Sequence, residues 1–192
     1  MRIRTLEDLA PVGVRTVVIN VGTDLVTTRA VLSAVEAADT PVLLINCDPT
    51  AESTQRFAVM PERYGIDLLD APVRRHGDTL DWLFTHSADD ALLLLDSDAE
   101  LRSPALVGWM KARLQHPRTF GAGYLEGPFW MDEAWSAPPR SMLYMERPWV
   151  PALILQVASV RRALSAGRHF GEMMVPNEVG FSKRASWFLA SR

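Results

Sequence analysis

Two aspartates set one residue apart close the most apolar run of the chain, Leu92-Leu93-Leu94-Leu95-Asp96-Ser97-Asp98. On an extended segment, residues two apart project to the same side, so the carboxyl groups of Asp96 and Asp98 are expected close together where the strand ends. Two like charges so placed repel, and a cation between them relieves the repulsion. Oxygen donors without a neighbouring Cys or His pair suit Mg²⁺ or Mn²⁺ better than zinc. The competing explanation is an Asp-Ser-Asp turn that caps the next helix. Ser103-Pro104, a serine followed by proline at the first helical position, already supplies that cap. Polar groups also follow the other apolar runs, as Asn20-Val21-Gly22, Asn46-Cys47-Asp48 and the stretch from Asp70 to Arg75. Asp and Asn at such places also make turns and helix caps, so position in the fold has to decide between the two roles.

A parallel sheet would bring these groups to one edge. Thr16 to Val21 is a β-branched run without polar alternation and reads as a strand buried on both faces. Asp24 can open a helix on which Val31, Ala34, Val35 and Ala38 recur at helical spacing. Val42 to Ile45, Ile66 to Leu69 and Ala91 to Leu95 repeat the strand signature, with helices expected over about 52–59, 78–86 and 104–114. Four strand–helix alternations in about 100 residues imply an α/β fold with a mainly parallel sheet and helices on both faces, because each parallel pairing needs a crossover. In such a sheet a ligand sits beyond the carboxyl ends of the strands, where the polar groups lie. Beyond residue 115 the pattern changes. Thr119 to Tyr124 reads as a fifth strand and Val157 to Ala166 as a helix, while Leu125 to Trp149, rich in Pro, Gly, Trp and Met, reads as a loop that shapes or covers a site.

Composition narrows the function classes. The 192 residues are 48% hydrophobic and 22% charged, with a net charge of −3, which fits one globular domain over residues 1–192 and excludes disorder. The acidic balance argues against a nucleic-acid partner. A single cysteine, Cys47, and no secretory leader point to a reducing cytoplasm, and no apolar run approaches the roughly 18 residues that span a bilayer. Residues 161–192 carry six basic and two acidic side chains, a local +4 that leaves −7 on the rest. Such a basic end can contact an anionic membrane surface peripherally.

Over about residues 14–115, the order of elements and the Asp-x-Asp after the fourth strand resemble the GT-A fold of nucleotide-sugar glycosyltransferases, in particular family 2. The resemblance implies a Rossmann-like nucleotide-binding half over about 14–115 and an acceptor half over about 116–192. It further implies a metal-dependent transfer, with inversion, from a nucleoside-diphosphate sugar to a glycan, lipid or small-molecule acceptor. Asp96 and Asp98 would hold Mn²⁺ or Mg²⁺ against the donor diphosphate, and His169 would be a further ligand. Asn20, at the end of the first strand, would lie at the nucleotide. Asp48 falls where the family places an Asp on the nucleobase, although Cys47-Asp48-Pro49-Thr50 stands for the usual Asp-Asp-Gly-Ser. Arg74-Arg75-His76-Gly77 resembles the segment that approaches the nucleotide, with Arg74 or Arg75 facing the diphosphate and Gly77 its glycine. The family's general base, a downstream carboxylate, maps to Glu178 or to the pair Asp132-Glu133.

Other readings compete. A haloacid-dehalogenase-like phosphatase also carries Asp-x-Asp after an apolar strand, but there the motif opens the fold and continues to a Thr. The glycine-rich signatures of dinucleotide and P-loop sites are absent from the sequence. A non-catalytic relative that only binds a nucleotide sugar remains, since the chain is short for the family.

Overall fold

The apolar runs become strands of one seven-stranded sheet because each is flanked by a helix long enough to carry the chain back for a parallel pairing. The computed structural model describes residues 1–72, 76–126 and 147–170, and the backbone of 172–173 and 185–186. In chain order the elements are β1 (Arg2–Ile3), β2 (Val14–Asn20), α1 (Asp24–Ala37), β3 (Val42–Asn46), α2 (Ala51–Ala58), α3 (Met60–Tyr64), β4 (Asp67–Asp70), α4 (His76–His86), β5 (Ala91–Leu95), α5 (Pro104–Leu114), β6 (Gly121–Glu126), β7 (Arg147–Gln156) and α6 (Val157–Ser165). A separate two-stranded pair joins β8 (Glu172–Met173) to β9 (Ala185–Ser186).

The sheet order is β1-β4-β3-β2-β5-β7-β6. The pairings from β1 through β5 are parallel, and β7 runs antiparallel to both β5 and β6. Alternation along the strands divides the core into two layers. Val18, Leu44, Leu68, Leu93, Leu95 and Ile154 pack under α1, α2, α3 and α5 through Ala30, Val31, Ala34, Phe57, Met60, Val107 and Met110. Val17, Ile19, Leu43, Ile45, Leu92, Leu94 and Leu155 face α4 and α6 through Leu80, Leu83, Phe84, Val157 and Val160. This is the mainly parallel sheet with helices on both faces that the sequence pattern implies.

The element ends follow local chemistry. The Thr50 hydroxyl caps α2 by accepting from the Ser53 amide at 3.1 Å, and Gly65, at φ +67°, ends α3 in the left-handed region that glycine enters without strain. One expectation changes. The sequence pattern predicts a loop over Leu125 to Trp149 and no element over 150–156, whereas β7 covers Arg147–Gln156. Pro148 and Pro151 break the strand signal there. The pairing that makes Ala152 to Gln156 a strand comes from β5 on one side and, across residues 127–146, from β6 on the other.

Candidate functional site

The chain passes from β2 to β3 and β4 on one side, then returns through α4 on the opposite face to place β5 on the other side of β2. The strand order therefore reverses between β2 and β5, and in open α/β sheets the crevice above that point is where ligands bind. The loops that follow β2, β3 and β5 meet there. The Thr23 hydroxyl donates to Ser97 Oγ at 3.1 Å, joining the loop after β2 to Asp96-Ser97-Asp98. Gly22 has φ +70°, and a Cβ placed on it would stand 3.2 Å from Asp48 Oδ2, so the Asp48 carboxylate lies against the glycine. Asp48 and the Asp96-Ser97-Asp98 loop thus flank the Gly22-Thr23 turn at the carboxyl edge.

Beneath this edge lies a buried amide network. Asn20 and Asn46 are both fully buried at paired ends of β2 and β3. Asn20 Nδ2 donates to Asn46 Oδ1 at 2.9 Å and to Asp24 Oδ1 at 3.0 Å. Its oxygen accepts from the Thr23 amide and the Thr27 hydroxyl. With both hydrogens and the oxygen bound inside the protein, the Asn20 side chain is committed to holding the loop after β2. Asn46 Nδ2 donates to Ser53 Oγ at 2.9 Å and to Asp70 Oδ1 at 3.0 Å, and the Ser53 hydroxyl lies within reach of the Asp48 carbonyl at 2.7 Å. The network ties the ends of three strands to the first turns of α1 and α2. Thr23, Thr27 and Ser53 were invisible as site residues in the sequence, where small hydroxyl side chains early in a helix read as ordinary capping groups. Asn46→Ala strands the Asn20 amide hydrogen in a buried place and takes the donor from the partly exposed Asp70 oxygen, and should lower stability by about 2 kcal/mol in urea titration.

Asp96 is half-buried and Asp98 exposed. Burial, and secondarily the charge of Asp98, push the Asp96 carboxyl up from 3.8 to about 6. The loop cannot easily separate the two carboxyls. The Ala99 amide donates to the Asp96 carbonyl at 3.1 Å, the Leu101 amide to Ser33 Oγ at 3.0 Å, and Glu100 pairs with Arg29 of α1 at 2.7 Å. A carboxyl made reluctant to ionise by burial and by its neighbour is one whose charged form a hard divalent cation would favour, and two carboxyl groups alone supply only part of the oxygen ligands of Mg²⁺ or Mn²⁺.

Gly77 is buried in the first turn of α4, and burial holds the adjacent His76 below the usual histidine range. His169, beyond α6, has Nδ1 at 2.9 Å from Asp81 Oδ2 on α4, and the Phe170 amide donates to Asp81 Oδ1 at 2.9 Å. Nε2 is thereby the nitrogen left for a ligand, but among the described residues no group of three or more His, Cys, Asp or Glu side chains gathers to hold a metal. His169 is therefore not collected with Asp96 and Asp98. Arg74, Arg75, Asp132, Glu133 and Glu178 lie outside the described residues. No helix among the described residues is long and apolar enough to cross a membrane.

The sequence matches no protein-family model and no curated protein. The fold, however, is shared with solved structures. S. aureus TarS superposes with a TM-score of 0.57 at 11% identity, over 82% of this chain and 50% of that one. The mannosyltransferase PcManGT from Pyrobaculum calidifontis, in complex with GDP-Man and Mn²⁺, superposes with a TM-score of 0.56 at 15% identity, over 85% of this chain and 50% of its own. A 4-diphosphocytidyl-2C-methyl-D-erythritol synthase from Anaerococcus prevotii gives 0.55 at 10% identity, over 85% of this chain and 78% of that one. The chain spans half the length of the first two. At these identities the likeness establishes the fold, the GT-A-like fold of nucleotide-diphospho-sugar transferases.

Proposed function

We propose that the chain binds a nucleoside-diphosphate sugar at the carboxyl edge of its sheet and transfers the sugar to an acceptor hydroxyl. The observation that carries this reading is the Asp96-Ser97-Asp98 loop at the strand-order reversal, linked through Thr23 and Gly22 to Asp48. Asp48 accepts from the nucleobase, and the Asn20–Asn46 network keeps its loop in register. Asp96 and Asp98 hold Mn²⁺ or Mg²⁺. When bound, that ion supplies Lewis-acid stabilisation of the charge on the departing nucleoside diphosphate. Arg74 or Arg75, ahead of Gly77, adds positive charge at the same phosphates. Glu178, or one of Asp132 and Glu133, takes the acceptor proton, so that displacement proceeds in one step with inversion. The acceptor is a glycan, a lipid or a small molecule, and the basic residues 161–192 offer peripheral contact with an anionic surface.

The test is thermal denaturation with UDP, GDP, CDP and ADP, each with and without Mn²⁺. A cognate diphosphate at a hundredfold excess over Kd should stabilise the protein by about 2.7 kcal/mol, and only with the metal present. If no diphosphate shifts the transition in Mn²⁺, the reading fails; binding without donor turnover would leave a nucleotide-sugar-binding protein. A second reading, nucleotidyl transfer, is favoured by the 78% coverage of the shorter Anaerococcus chain. It predicts pyrophosphate release from a nucleoside triphosphate and a phosphorylated acceptor, where glycosyl transfer releases a nucleoside diphosphate.

A further inference from the structure

Helix α5 buries only one stripe. Val107 and Met110 are essentially inaccessible and pack on the sheet, while Leu106 is 41% and Trp109 46% exposed, and Phe120, just past the helix, is 55% exposed. Leu106, Trp109 and Arg113 follow at helical spacing on one outward face, and Arg113 lies over the Trp109 ring, 5.2 Å from its centroid. The charge of this segment is equally one-sided. In a chain with net charge −3, residues 101–125 hold the basic Arg102, Lys111, Arg113 and Arg118 and no acidic side chain. Arg102 pairs with Glu100 and Lys111 reaches the Asp39 carbonyl. Among the described residues no carboxylate pairs with the exposed Arg113 or Arg118.

We propose that the outward face of α5 and the turn after it, presenting Leu106, Trp109, Arg113, Arg118 and Phe120, docks the protein on an anionic lipid surface. Leu and Trp exposed on the helix and Phe exposed just past it, beside Arg and with no acid among them, are the residue types of a membrane-interface contact: the rings enter the headgroup region while the guanidinium groups meet lipid phosphates. A second copy of the chain is the wrong occupant, because a symmetric interface would set this unopposed positive patch against itself. The proposal rests on residues 106–120, not on the basic stretch 161–192, and it does not depend on the transferase reading. Because α5 starts a few residues after Asp98, docking would also bring the crevice close to the lipid surface.

The experiment is co-sedimentation of the full chain with vesicles of phosphatidylcholine alone and of phosphatidylcholine with phosphatidylglycerol, in low and high salt. The protein should sediment with the anionic vesicles only, and release in high salt. Arg113→Glu with Arg118→Glu should weaken that binding at least about 25-fold, at about fivefold per cation removed. Trp109→Ala with Phe120→Ala should weaken it in low salt as well, which a purely electrostatic attraction would not show. All four positions are exposed, and unchanged circular dichroism confirms that the variants fold. No binding to anionic vesicles, equal binding to neutral ones, or undiminished binding by both double variants would overturn the proposal. So would retention on nucleic acid in place of vesicles.

Discussion

Asp96→Asn should make the metal-free protein more stable at neutral pH and, in the same step, unresponsive to divalent cations. The Asp96 carboxyl is held at about 6, above the 3.8 of a free aspartate. Between those values the folded chain keeps a proton that the unfolded chain has lost, so stability falls as pH rises and the full penalty is present above 6. That rise corresponds to a penalty of about 3 kcal/mol at pH 7.5. Asparagine has the same shape and no charge, and so escapes the penalty. Urea denaturation should show the variant more stable than wild type by about 2–3 kcal/mol at pH 7.5, with the difference closing as pH falls through 6 towards 4. Mn²⁺ should stabilise wild type at pH 7.5 and leave the variant unmoved, because the cation's gain comes from the charge pair that the substitution breaks. If Asp96 is only a turn residue, the pH-dependent difference will remain, because burial and Asp98 cause it, but Mn²⁺ will act on wild type and variant alike.

Asp89→Ala should be the most damaging substitution at the opposite, amino edge of the sheet. Arg15 and Asp89 have side chains only 3% and 4% exposed and are joined by Nε to Oδ2 at 2.8 Å. Asp89 also accepts from the Val12 amide at 2.9 Å and from the Ser87 hydroxyl, and Arg15 reaches the Ala10 carbonyl at 2.8 Å. Taking away the carboxylate leaves a buried guanidinium with only the partly exposed Asp67 opposite it, 3.3 Å away. Breaking one half of a buried pair costs about 3–5 kcal/mol. Replacing both partners, as Arg15→Met with Asp89→Leu, leaves no uncompensated charge and should cost distinctly less, a non-additivity that a double-mutant cycle measures. Nucleoside-diphosphate affinity of the folded Asp89→Ala protein should stay at the wild-type value, since the pair lies at the end of the strands away from the crevice.

Sequence alone was enough for the frame of the first 115 residues. Runs such as Val42 to Ile45 and Ala91 to Leu95 admit no solvent-facing side, so they had to be central strands, and the helical periodicities between them had to be crossovers. It also sufficed to single out Asp96 and Asp98, because a charged pair directly after five apolar residues needs a reason of its own. What the tertiary structure decided was which strand ends become neighbours. Nothing local in Asn20 or Asn46 says that the two amides meet at 2.9 Å, or that Thr23 reaches Ser97 across 74 positions of chain. Those contacts exist only because β2 lies between β3 and β5. The same holds for β7, whose prolines hide it until β5 and β6 supply its pairing, and for Asp81, an ordinary acid on α4 until the chain beyond α6 brings His169 to it. Periodicity records which face of an element is buried, whereas the partner that covers that face is set by long-range packing, and the site is made of such partners.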